Sequence, residues 1–461
     1  MKKDNKDAYK NIVKILESLC LLLCFVGTFA WIWYEQIGHY RWQTFENKGN
    51  LLVIMVYAAV LILFMSSLGG FLIGIYRKSS VALSQIIALA GTDVVMYVVL
   101  ILVIGNTSSI GRLTVNMLGL LAVQIVISMI LIVVETNLFR KIYPPKRMIV
   151  VYENKAPEHI IQKFAVREDK YTIESSVKAD SNWKTNMQEA GVYEAVLLYD
   201  ITSQYRNDIL KYCFENDIQT YIVPKISDIL LRNATELNLF DTPVLEIKNS
   251  EITIEQRFLK RLMDIVISLA GIIITSPIIL VTAIAIHVYD KGPVFFKQNR
   301  CTMNGEVYQI YKFRSMIVDA EKDGVARLAT ENDDRITPIG HFIRKTRIDE
   351  IPQFFNILKG DMSVVGPRPE RPEIIAEYCK EFPEFSYRTK MKAGLTGYAQ
   401  VYGKYNTTSY DKLKWDLMYI QKFSILLDLK LIIMTVKIVF MKESTEGLED
   451  GQVNANSTDK E

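Results

Sequence analysis

Apolar residues form long runs in the first third of the chain and one more run past its middle. Four runs, near residues 12–34, 51–75, 81–104 and 117–138, are each long enough for a helix that crosses a bilayer, which needs about 20 residues. A fifth run extends from Ile265 to Tyr289. Because polar stretches separate and follow these runs, the pattern predicts a membrane protein with sizeable soluble parts.

Basic residues gather at particular ends of the first four runs. They precede the first run, separate the second from the third and follow the fourth: Lys2, Lys3, Lys6, Lys10, Lys14, Arg77, Lys78, Arg140, Lys141, Lys146 and Arg147. The two remaining connections carry few basic residues. Since the cytoplasmic loops of membrane proteins carry an excess of Lys and Arg, residues 1–145 are predicted to form a four-helix transmembrane bundle with both ends in the cytoplasm.

Residues 146–247 show a different pattern, in which short apolar runs alternate with helical stretches. The runs are Met148–Tyr152, Tyr171–Val177, Ala195–Tyr199, Thr220–Val223 and Val244–Ile247, and the helical stretches include 157–165 and 204–216. Such alternation is typical of a doubly wound α/β domain with a parallel sheet. The turn Glu153–Pro157 lacks the G-x-G-x-x-G fingerprint. We therefore expect a non-catalytic, Rossmann-like domain with a regulatory or oligomerisation role.

The fifth run has basic residues on both flanks and a proline at its centre. The flanking residues are Lys260 and Arg261 before it, and Lys291, Lys297 and Arg300 after it. Two cytoplasmic ends are incompatible with a single crossing, and Pro277 bends a helix because it removes a hydrogen bond. The pattern predicts a re-entrant membrane hairpin that turns at Ser276 and Pro277. The alternative is a fifth spanning helix, which would place everything after residue 290 outside the cell.

The hairpin opens a last domain, residues 255–440, whose soluble part is rich in Lys, Arg, Phe and Tyr. Amphipathic helices are predicted near 370–380 and 409–440. Within the second of these, residues 415–434 are apolar but broken by charges, which is typical of a helix that lies in the membrane interface. The polar tail 441–461 is predicted to be disordered.

Composition excludes several classes of function. The net charge of +3 is small, and there is no basic stripe with interleaved aromatic residues, so we expect no nucleic acid partner. The five cysteines are scattered, without the spacing of a zinc or redox site, and the four histidines are far apart. The scattered cysteines predict reduced thiols, and neither the cysteines nor the histidines predict a metal centre.

The segment 339–369 carries two adjacent carboxylates, Asp349 and Glu350, among several arginines. Pro352 suits the first turn of a short helix and Gly360 suits its end, so Asp349 is predicted at or near the N-cap. The free N–H groups and the positive end of the helix dipole favour an ionised carboxylate there and attract phosphate. The alternative is that Asp349 only caps the helix, since caps prefer polar residues.

Several motifs follow one another in the last domain. They are Gly292–Arg300 (GPVFFKQNR), Tyr311–Met316 (YKFRSM), the block from Arg344 to Pro369, Lys392–Val401 (KAGLTGYAQV) and Asp416. Placed after a Ser-Pro hydrophobic hairpin, this set resembles the bacterial sugar transferase family, whose monotopic members start capsule, exopolysaccharide and O-antigen assembly. The resemblance implies an α-rich monotopic catalytic domain. The four helices and the α/β domain in front match the long, hexose-using subclass in architecture.

The resemblance also implies a reaction. A hexose 1-phosphate would pass from a UDP-hexose, with glucose or galactose expected, to undecaprenyl phosphate, and UMP would be released. The active site would face the cytoplasm at the inner leaflet of the bacterial cytoplasmic membrane. We expect a homodimer, with the α/β domain as a candidate contact.

Matched to the family's motifs, Asp349 is the implied nucleophile, which forms a covalent phospho-sugar intermediate. Glu350 and a Mg²⁺ ion complete the implied site. Arg344 and Arg368 match phosphate-handling positions, which suits arginine because its planar fork fits phosphate oxygens. Lys312 and Arg314 are assigned to phosphate binding with less support. The implied metal ligands are Glu350, Asp349 and Asp416.

Two other functions compete with this one. A membrane-anchored nucleotide-sugar dehydratase or epimerase would pair spanning helices with a doubly wound domain, and Tyr308-x-x-x-Lys312 fits its Tyr-x-x-x-Lys pattern. However, this motif lies outside the α/β domain, and no glycine-rich fingerprint precedes it. A non-catalytic scaffold for polysaccharide assembly would make the Asp349–Glu350 pair incidental.

Overall fold

The computed structural model describes residues 4–40, 47–105, 107–239, 241–247, 252–318, 320, 333–403 and 407–439. The chain divides into two compact units, residues 1–224 and 225–461.

The first unit begins with four long helices. They are α1 (Asp4–Glu35), α2 (Asn47–Leu68), α3 (Lys78–Ile104) and α4 (Ile110–Ile142). All four are long and apolar enough to cross a membrane, which confirms a membrane protein with its apolar helices near the N-terminus. Helix α2 ends at Leu68 although the apolar run continues to residue 75. Gly69 and Gly74 follow with φ of +77° and +72°, a left-handed conformation that stops a helix and favours glycine.

Polar side chains connect these four helices inside their apolar packing. The Gln124 amide nitrogen donates to the Tyr57 hydroxyl at 2.9 Å and to the Phe25 carbonyl at 3.1 Å, which joins α4 to α2 and α1. The Ser128 hydroxyl donates to the side-chain oxygen of Gln85 at 2.6 Å, which joins α4 to α3. Such hydrogen bonds hold helices together where apolar burial gives little driving force.

A parallel sheet follows in the same unit. Its elements are β1 (Lys146–Tyr152), α5 (Glu158–Ala165), β2 (Tyr171–Lys178), α6 (Trp183–Glu189), β3 (Ala195–Tyr199), α7 (Ser203–Glu215) and β4 (Gln219–Ile222). The strand order is β2-β1-β3-β4, and every pairing is parallel. Alternate residues of β1 pack on opposite faces, with Ile149 in one apolar core and Met148 in the other. The prediction of an α/β region with a parallel sheet is confirmed.

The prediction that Val244–Ile247 forms a fifth strand of this sheet is wrong. The second unit begins with α8 (Ile226–Leu231), β5 (Thr235–Leu239) and β6 (Thr242–Glu246), and β6 pairs antiparallel with β5 instead of joining the sheet. Only two residues separate β5 from β6. A connection of that length permits a hairpin, whereas parallel strands need a crossover of a dozen or more residues.

Helix α9 (Ile254–Asp290) contains Pro277 without losing its helical backbone. The Ser276 hydroxyl donates to the Ile273 carbonyl at 2.8 Å. Proline leaves that carbonyl without its usual N–H partner, so the serine satisfies the acceptor that Pro277 frees. The turn predicted at Ser276 and Pro277 does not interrupt the helix, and a reversal of its direction stays a prediction.

Short elements make up the rest of the second unit. They are β7 (Phe295–Cys301), β8 (Val307–Phe313), α10 (Pro338–Lys345), α11 (Gln353–Lys359), β9 (Ser363–Val365), α12 (Pro372–Glu381), β10 (Gly394–Thr396), α13 (Tyr398–Tyr402), α14 (Ser409–Gln421) and α15 (Ile425–Val439). Strands β7 and β8 form an antiparallel hairpin, and β9 pairs with β10 in parallel. The apolar core includes Ile357, Val365, Phe385, Leu417 and Leu431.

The predicted helix over 409–440 is two helices, α14 and α15, separated at Lys422. Asp428, one of the charges that break the apolar pattern there, is fully buried and lies 2.6 Å from the Lys260 amine. This charge belongs to a core ion pair and not to a solvent-facing side of an interface helix. The predicted disordered tail 441–461 lies outside the described residues.

Candidate functional site

Asp349 and Glu350 lie in a single 3-10 turn, Ile348–Glu350, between α10 and α11. Arg347 precedes the turn with φ of +58°, a left-handed conformation that redirects the chain after α10. Pro352 occupies the N-cap of α11, one position before the first turn where it is predicted, and Gly360 ends the helix with φ of +101°, as predicted. Asp349 lies three residues before this cap, so it does not occupy the predicted N-cap, and the alternative that it only caps the helix is wrong as well.

Three cations surround the carboxylate of Glu350. Its Oε1 lies 3.1 Å from the Lys312 amine, 3.3 Å from the Arg368 guanidinium and 3.6 Å from that of Arg347. The Lys312 amine also lies 3.8 Å from Asp349 Oδ2. Lys312 is the penultimate residue of strand β8, and this position brings its side chain next to the two carboxylates.

The two carboxylates respond in opposite ways to this environment. Burial acts against the charge of Glu350, but Lys312, Arg368 and Arg347 outweigh it and hold the pKa of Glu350 well below its usual range. Asp349 is 9% exposed. Burial raises its pKa, and the charge of Glu350 adds to the rise, although Lys312, Arg347 and Arg344 act to lower it. Glu350 is thus a fixed anion, while Asp349 is a buried carboxylate in a cationic setting, as expected of a reactive group.

Arg344 and Arg314 have different surroundings. Arg344 lies in the last turn of α10, near enough for its charge to act on Asp349. The Arg314 guanidinium is buried, pairs with Asp290 at the end of α9 and lies against Gly292, where a Cβ would collide with it. The Arg314 side chain therefore packs against the C-terminal end of α9, whereas Lys312 and Arg368 contact Glu350 and Arg344 acts on Asp349 through its charge.

Asp416 lies in a different cluster. It is 1% exposed on α14, and its Oδ2 is 2.8 Å from the Arg388 guanidinium. Burial raises the pKa of Asp416 to about 6, against the lowering effect of Arg388. Within the described ranges, no three His, Cys, Asp or Glu side chains gather as metal ligands. The structure thus leaves Asp416 apart from Asp349 and Glu350 and pairs it with an arginine.

The glycines of the Gly-Pro-Arg-Pro and Gly-Leu-Thr-Gly motifs allow two backbones to pack together. A Cβ at Gly394 would collide with the backbone nitrogen of Gly366, and a Cβ at Gly397 would collide with the Gly366 carbonyl. Gly366 N donates to the Thr396 carbonyl at 2.8 Å. Close approach of backbones accounts for these glycines, and a contact of the second motif with nucleotide or sugar stays a prediction.

Sequence reasoning missed Arg388 and the pairing of Lys260 with Asp428. Arg388 stands in an ordinary polar stretch, and only its burial in the folded chain distinguishes it. Lys260 did carry a signal, because a lysine beside an apolar helix is costly to bury without a partner. The sequence gives no indication that the partner is Asp428, 168 residues away.

Tyr308 and Lys312 do not form the catalytic pair that a dehydratase or epimerase would need. Both lie on strand β8. Residues four apart are neighbours on a helix, but along a strand they are about 13 Å apart. Tyr308 is buried in the apolar core, whereas Lys312 reaches the carboxylates.

Residues 255–442 match the family model for bacterial sugar transferases. The chain is 38% identical over 233 residues to the "UDP-N-acetylgalactosamine-undecaprenyl-phosphate N-acetylgalactosaminephosphotransferase" of Aeromonas hydrophila, covering 50% of this chain and 54% of that protein. It is 38% identical over 256 residues to the "UDP-glucose:undecaprenyl-phosphate glucose-1-phosphate transferase" of Klebsiella pneumoniae, covering 54% and 53%. The chain thus spans about half the length of these two relatives.

A shorter relative is covered more fully. The chain is 48% identical over 139 residues to the "Putative undecaprenyl-phosphate N-acetylgalactosaminyl 1-phosphate transferase" of Bacillus subtilis (strain 168), covering 30% of this chain and 77% of that protein. All the residues discussed around Asp349 lie within the stretch that matches the family model.

Proposed function

The chain belongs to the bacterial sugar transferase family, and from this premise we propose that it transfers a sugar 1-phosphate from a UDP-sugar to undecaprenyl phosphate. UMP is the second product, and the reaction is the first membrane step of capsule or exopolysaccharide synthesis. The observation that carries the proposal is the buried Asp349 beside Glu350, with Lys312, Arg347 and Arg368 within 4 Å of the pair. Two anionic substrates can meet only where positive charge offsets their repulsion.

In the proposed mechanism, an Asp349 oxygen attacks the phosphorus that carries the sugar. A phosphorus–oxygen bond forms to Asp349, the bond to the UMP oxygen breaks, and UMP leaves with the electron pair. An oxygen of undecaprenyl phosphate then attacks the same phosphorus and releases Asp349 as a carboxylate. Lys312 and Arg368 neutralise the phosphate oxygens during both steps, and Arg344 supports them from α10.

Glu350 and Asp349 fit a Mg²⁺ ion as cofactor. Magnesium is usually held by one or two carboxylates together with substrate phosphates and water, and these two adjacent carboxylates provide that donor set. When bound, the ion would stabilise the charge on the leaving nucleotide. Asp416 is paired with Arg388 and is not needed in this ligand set.

The decisive experiment measures UMP released by the purified chain from a panel of UDP-sugars with undecaprenyl phosphate. We expect turnover with one or a few sugars, loss of turnover in EDTA and recovery with Mg²⁺. Without the lipid, we expect no more than one UMP per enzyme, because the intermediate then has no acceptor. The panel includes glucose, galactose and N-acetylgalactosamine. Absence of UMP release with every donor would refute the proposal.

The location proposed for the site is the inner leaflet of the cytoplasmic membrane. Residues on both sides of Pro277 pack on the same unit: Gly271 lies against Phe354, and Ile286 packs with Phe313 and Ile343. Gly271 and Ile286 are 15 residues apart, about 22 Å along a helix, and a crossing helix would place this stretch within about 30 Å of hydrocarbon, out of reach of a soluble unit. Shared contacts with one unit therefore favour a re-entrant helix over a crossing. The four N-terminal helices form the spanning bundle in this proposal.

Cysteine labelling tests this topology. In a chain whose natural cysteines are replaced, Glu306→Cys in the exposed loop after β7 is expected to react only with reagents that reach the cytoplasm. Cysteine placed in the connection between α1 and α2 serves as the control and is expected to react from outside. Labelling of position 306 from outside would exclude the re-entrant arrangement.

The pH dependence of turnover is expected to shift when Lys312 is replaced. Asp349 must be ionised to attack, so activity falls as pH drops through its pKa, which burial raises above that of an ordinary aspartate. The positive charge of Lys312 lowers that pKa. Lys312→Gln removes this effect, so the acid limb of the rate profile is expected to move to higher pH.

The control for this shift is Lys359→Gln, which removes an exposed lysine from α11. It should leave the acid limb in place. A profile of Lys312→Gln that keeps the wild-type acid limb would show that Asp349 is not the group that titrates.

A homodimer is also part of the proposal, with the α/β region as candidate contact. Native mass spectrometry in mild detergent tests it, and a monomer there would contradict it.

A further inference from the structure

The loop that carries Arg368 is held mainly through its backbone carbonyls. Pro367 and Pro369 have no N–H groups, so the loop has few donors of its own. The accepting carbonyls and their donors are Val365 with the Lys260 amine, Pro367 with Gly394 N, Arg368 with the Arg388 guanidinium, Pro369 with the Arg300 guanidinium, and Glu370 with Cys301 N. Because a bonded carbonyl fixes the orientation of its peptide, these donors set the direction of the loop.

Arg388 is the donor that acts on the residue whose side chain reaches the carboxylates. Its Nη2 lies 2.9 Å from the Arg368 carbonyl oxygen and 2.8 Å from Asp416 Oδ2. Arg388 is 5% exposed and Asp416 is 1% exposed. Solvent therefore cannot readily take the place of either partner, and losing one leaves a buried polar group unsatisfied.

On its other side, the Arg368 guanidinium lies 3.3 Å from Glu350. Asp416 thus contacts the Arg388 guanidinium, which donates to the Arg368 carbonyl, and the Arg368 side chain contacts Glu350. Glu350 is adjacent to Asp349 in the chain. Arg368 itself is partly exposed, with 44% of its side chain accessible. A long, partly exposed side chain samples many rotamers unless its backbone is fixed, so its position on Glu350 depends on the anchor behind it.

We propose that Arg388, held by Asp416, is a positioning residue that orients Arg368 toward Glu350 and thereby sets the charge around Asp349. This inference rests on the proposed transferase function. It gives Asp416 a role that needs no contact with substrate or metal.

A double-mutant cycle tests the route through Arg368. Arg388→Gln is expected to lower kcat/KM for UMP release by about tenfold to a hundredfold, the range known for losing a partner that orients a metal ligand. In an Arg368→Ala background the same substitution is expected to cost less than about twofold, because the group it positions is already absent. Turnover is measured with a donor radiolabelled in the sugar, so that slow variants are quantified. An equal fold-loss in both backgrounds would overturn the proposal.

A second measurement separates positioning from simple loss of structure. Arg388→Lys keeps a positively charged donor beside the Arg368 carbonyl and Asp416, so it is expected to recover part of the kcat/KM that Arg388→Gln loses. A loss of kcat/KM that follows a lowered Tm in both variants, without recovery by Arg388→Lys, would show a structural role only.

Asp416→Asn provides a nearly isosteric variant in case Arg388→Gln does not fold. It is expected to lower kcat/KM less than Arg388→Gln does, and to cause no further loss of kcat/KM in the Arg368→Ala background.

The matched control is Arg167→Gln in the first unit. Arg167 also joins a carboxylate, Asp169, to a backbone carbonyl, that of Ile75. This variant should keep wild-type kcat/KM. If wild-type protein releases no UMP, the proposed function fails, whereas an additive cycle in active protein refutes only the positioning role.

Discussion

Asp349→Asn is expected to reduce sugar-phosphate transfer by about a thousandfold or more, the scale on which loss of a covalent nucleophile acts. The amide keeps the shape of the carboxylate but does not attack phosphorus. Asp349 is 9% exposed and is placed by backbone bonds of its turn. The variant is therefore expected to fold and to enter membranes normally.

The measurement is the label retained by the protein after incubation with a UDP-sugar labelled in its sugar, without lipid acceptor. Wild-type protein is expected to retain label, and Asp349→Asn none. Asp241→Asn, an exposed aspartate in the turn between β5 and β6, is the control and should behave as wild type. Full turnover by Asp349→Asn, or label on another residue, would contradict the mechanism.

Lys260→Met is expected to lower the free energy of unfolding by about 3–5 kcal/mol, because it leaves the buried carboxylate of Asp428 without its partner. The two groups are 2.6 Å apart, with Asp428 fully buried. The Lys260 amine also donates to the Val365 carbonyl at 2.9 Å, and the Tyr419 hydroxyl donates to Asp428 at 2.7 Å. The loss is measured as a shift of Tm or of the denaturant midpoint in detergent.

Two comparisons show whether the effect comes from the unpaired charge. Lys260→Met combined with Asp428→Leu is expected to recover most of the lost stability, since a buried pair replaced by apolar groups is often close to neutral. Lys359→Met, which breaks an exposed pair with Asp361, is expected to cost less than about 1 kcal/mol. Equal losses for Lys260→Met and Lys359→Met would mean that the buried pair contributes no more than an exposed one.

The elements that local pattern determines could be predicted from the sequence. The four apolar helices and the four parallel strands follow from runs and periodicity, and the end of α11 at Gly360 follows from glycine's freedom at positive φ. Residues 244–247 are predicted in the wrong sheet because their apolar pattern is the same in a parallel sheet as in the antiparallel hairpin of β5 and β6. Their true partner, β5, was too polar to be recognised.

The candidate site was predictable only where adjacent residues form it. Asp349 and Glu350 are neighbours in sequence, and their cations recur in recognisable motifs. The pairing of Asp416 with Arg388 joins α14 to a segment outside any motif, and a lone aspartate gives no sign of its partner. Long-range pairs of this kind depend on tertiary packing, which residue spacing does not encode.

The hydrogen bonds of Gln85 and Gln124 bear on how the N-terminal helices assemble. Both amides depend on α4: Gln124 belongs to it, and Gln85 accepts from Ser128 on it. In a nascent chain that stops after α3, the Gln85 side-chain oxygen lacks its donor Ser128 and Tyr57 lacks Gln124, although Gln85 still donates to the Gly70 carbonyl and Tyr57 to Asp93. The first three helices are thus an incomplete folding unit, and α4 is the segment whose arrival commits them to a defined arrangement.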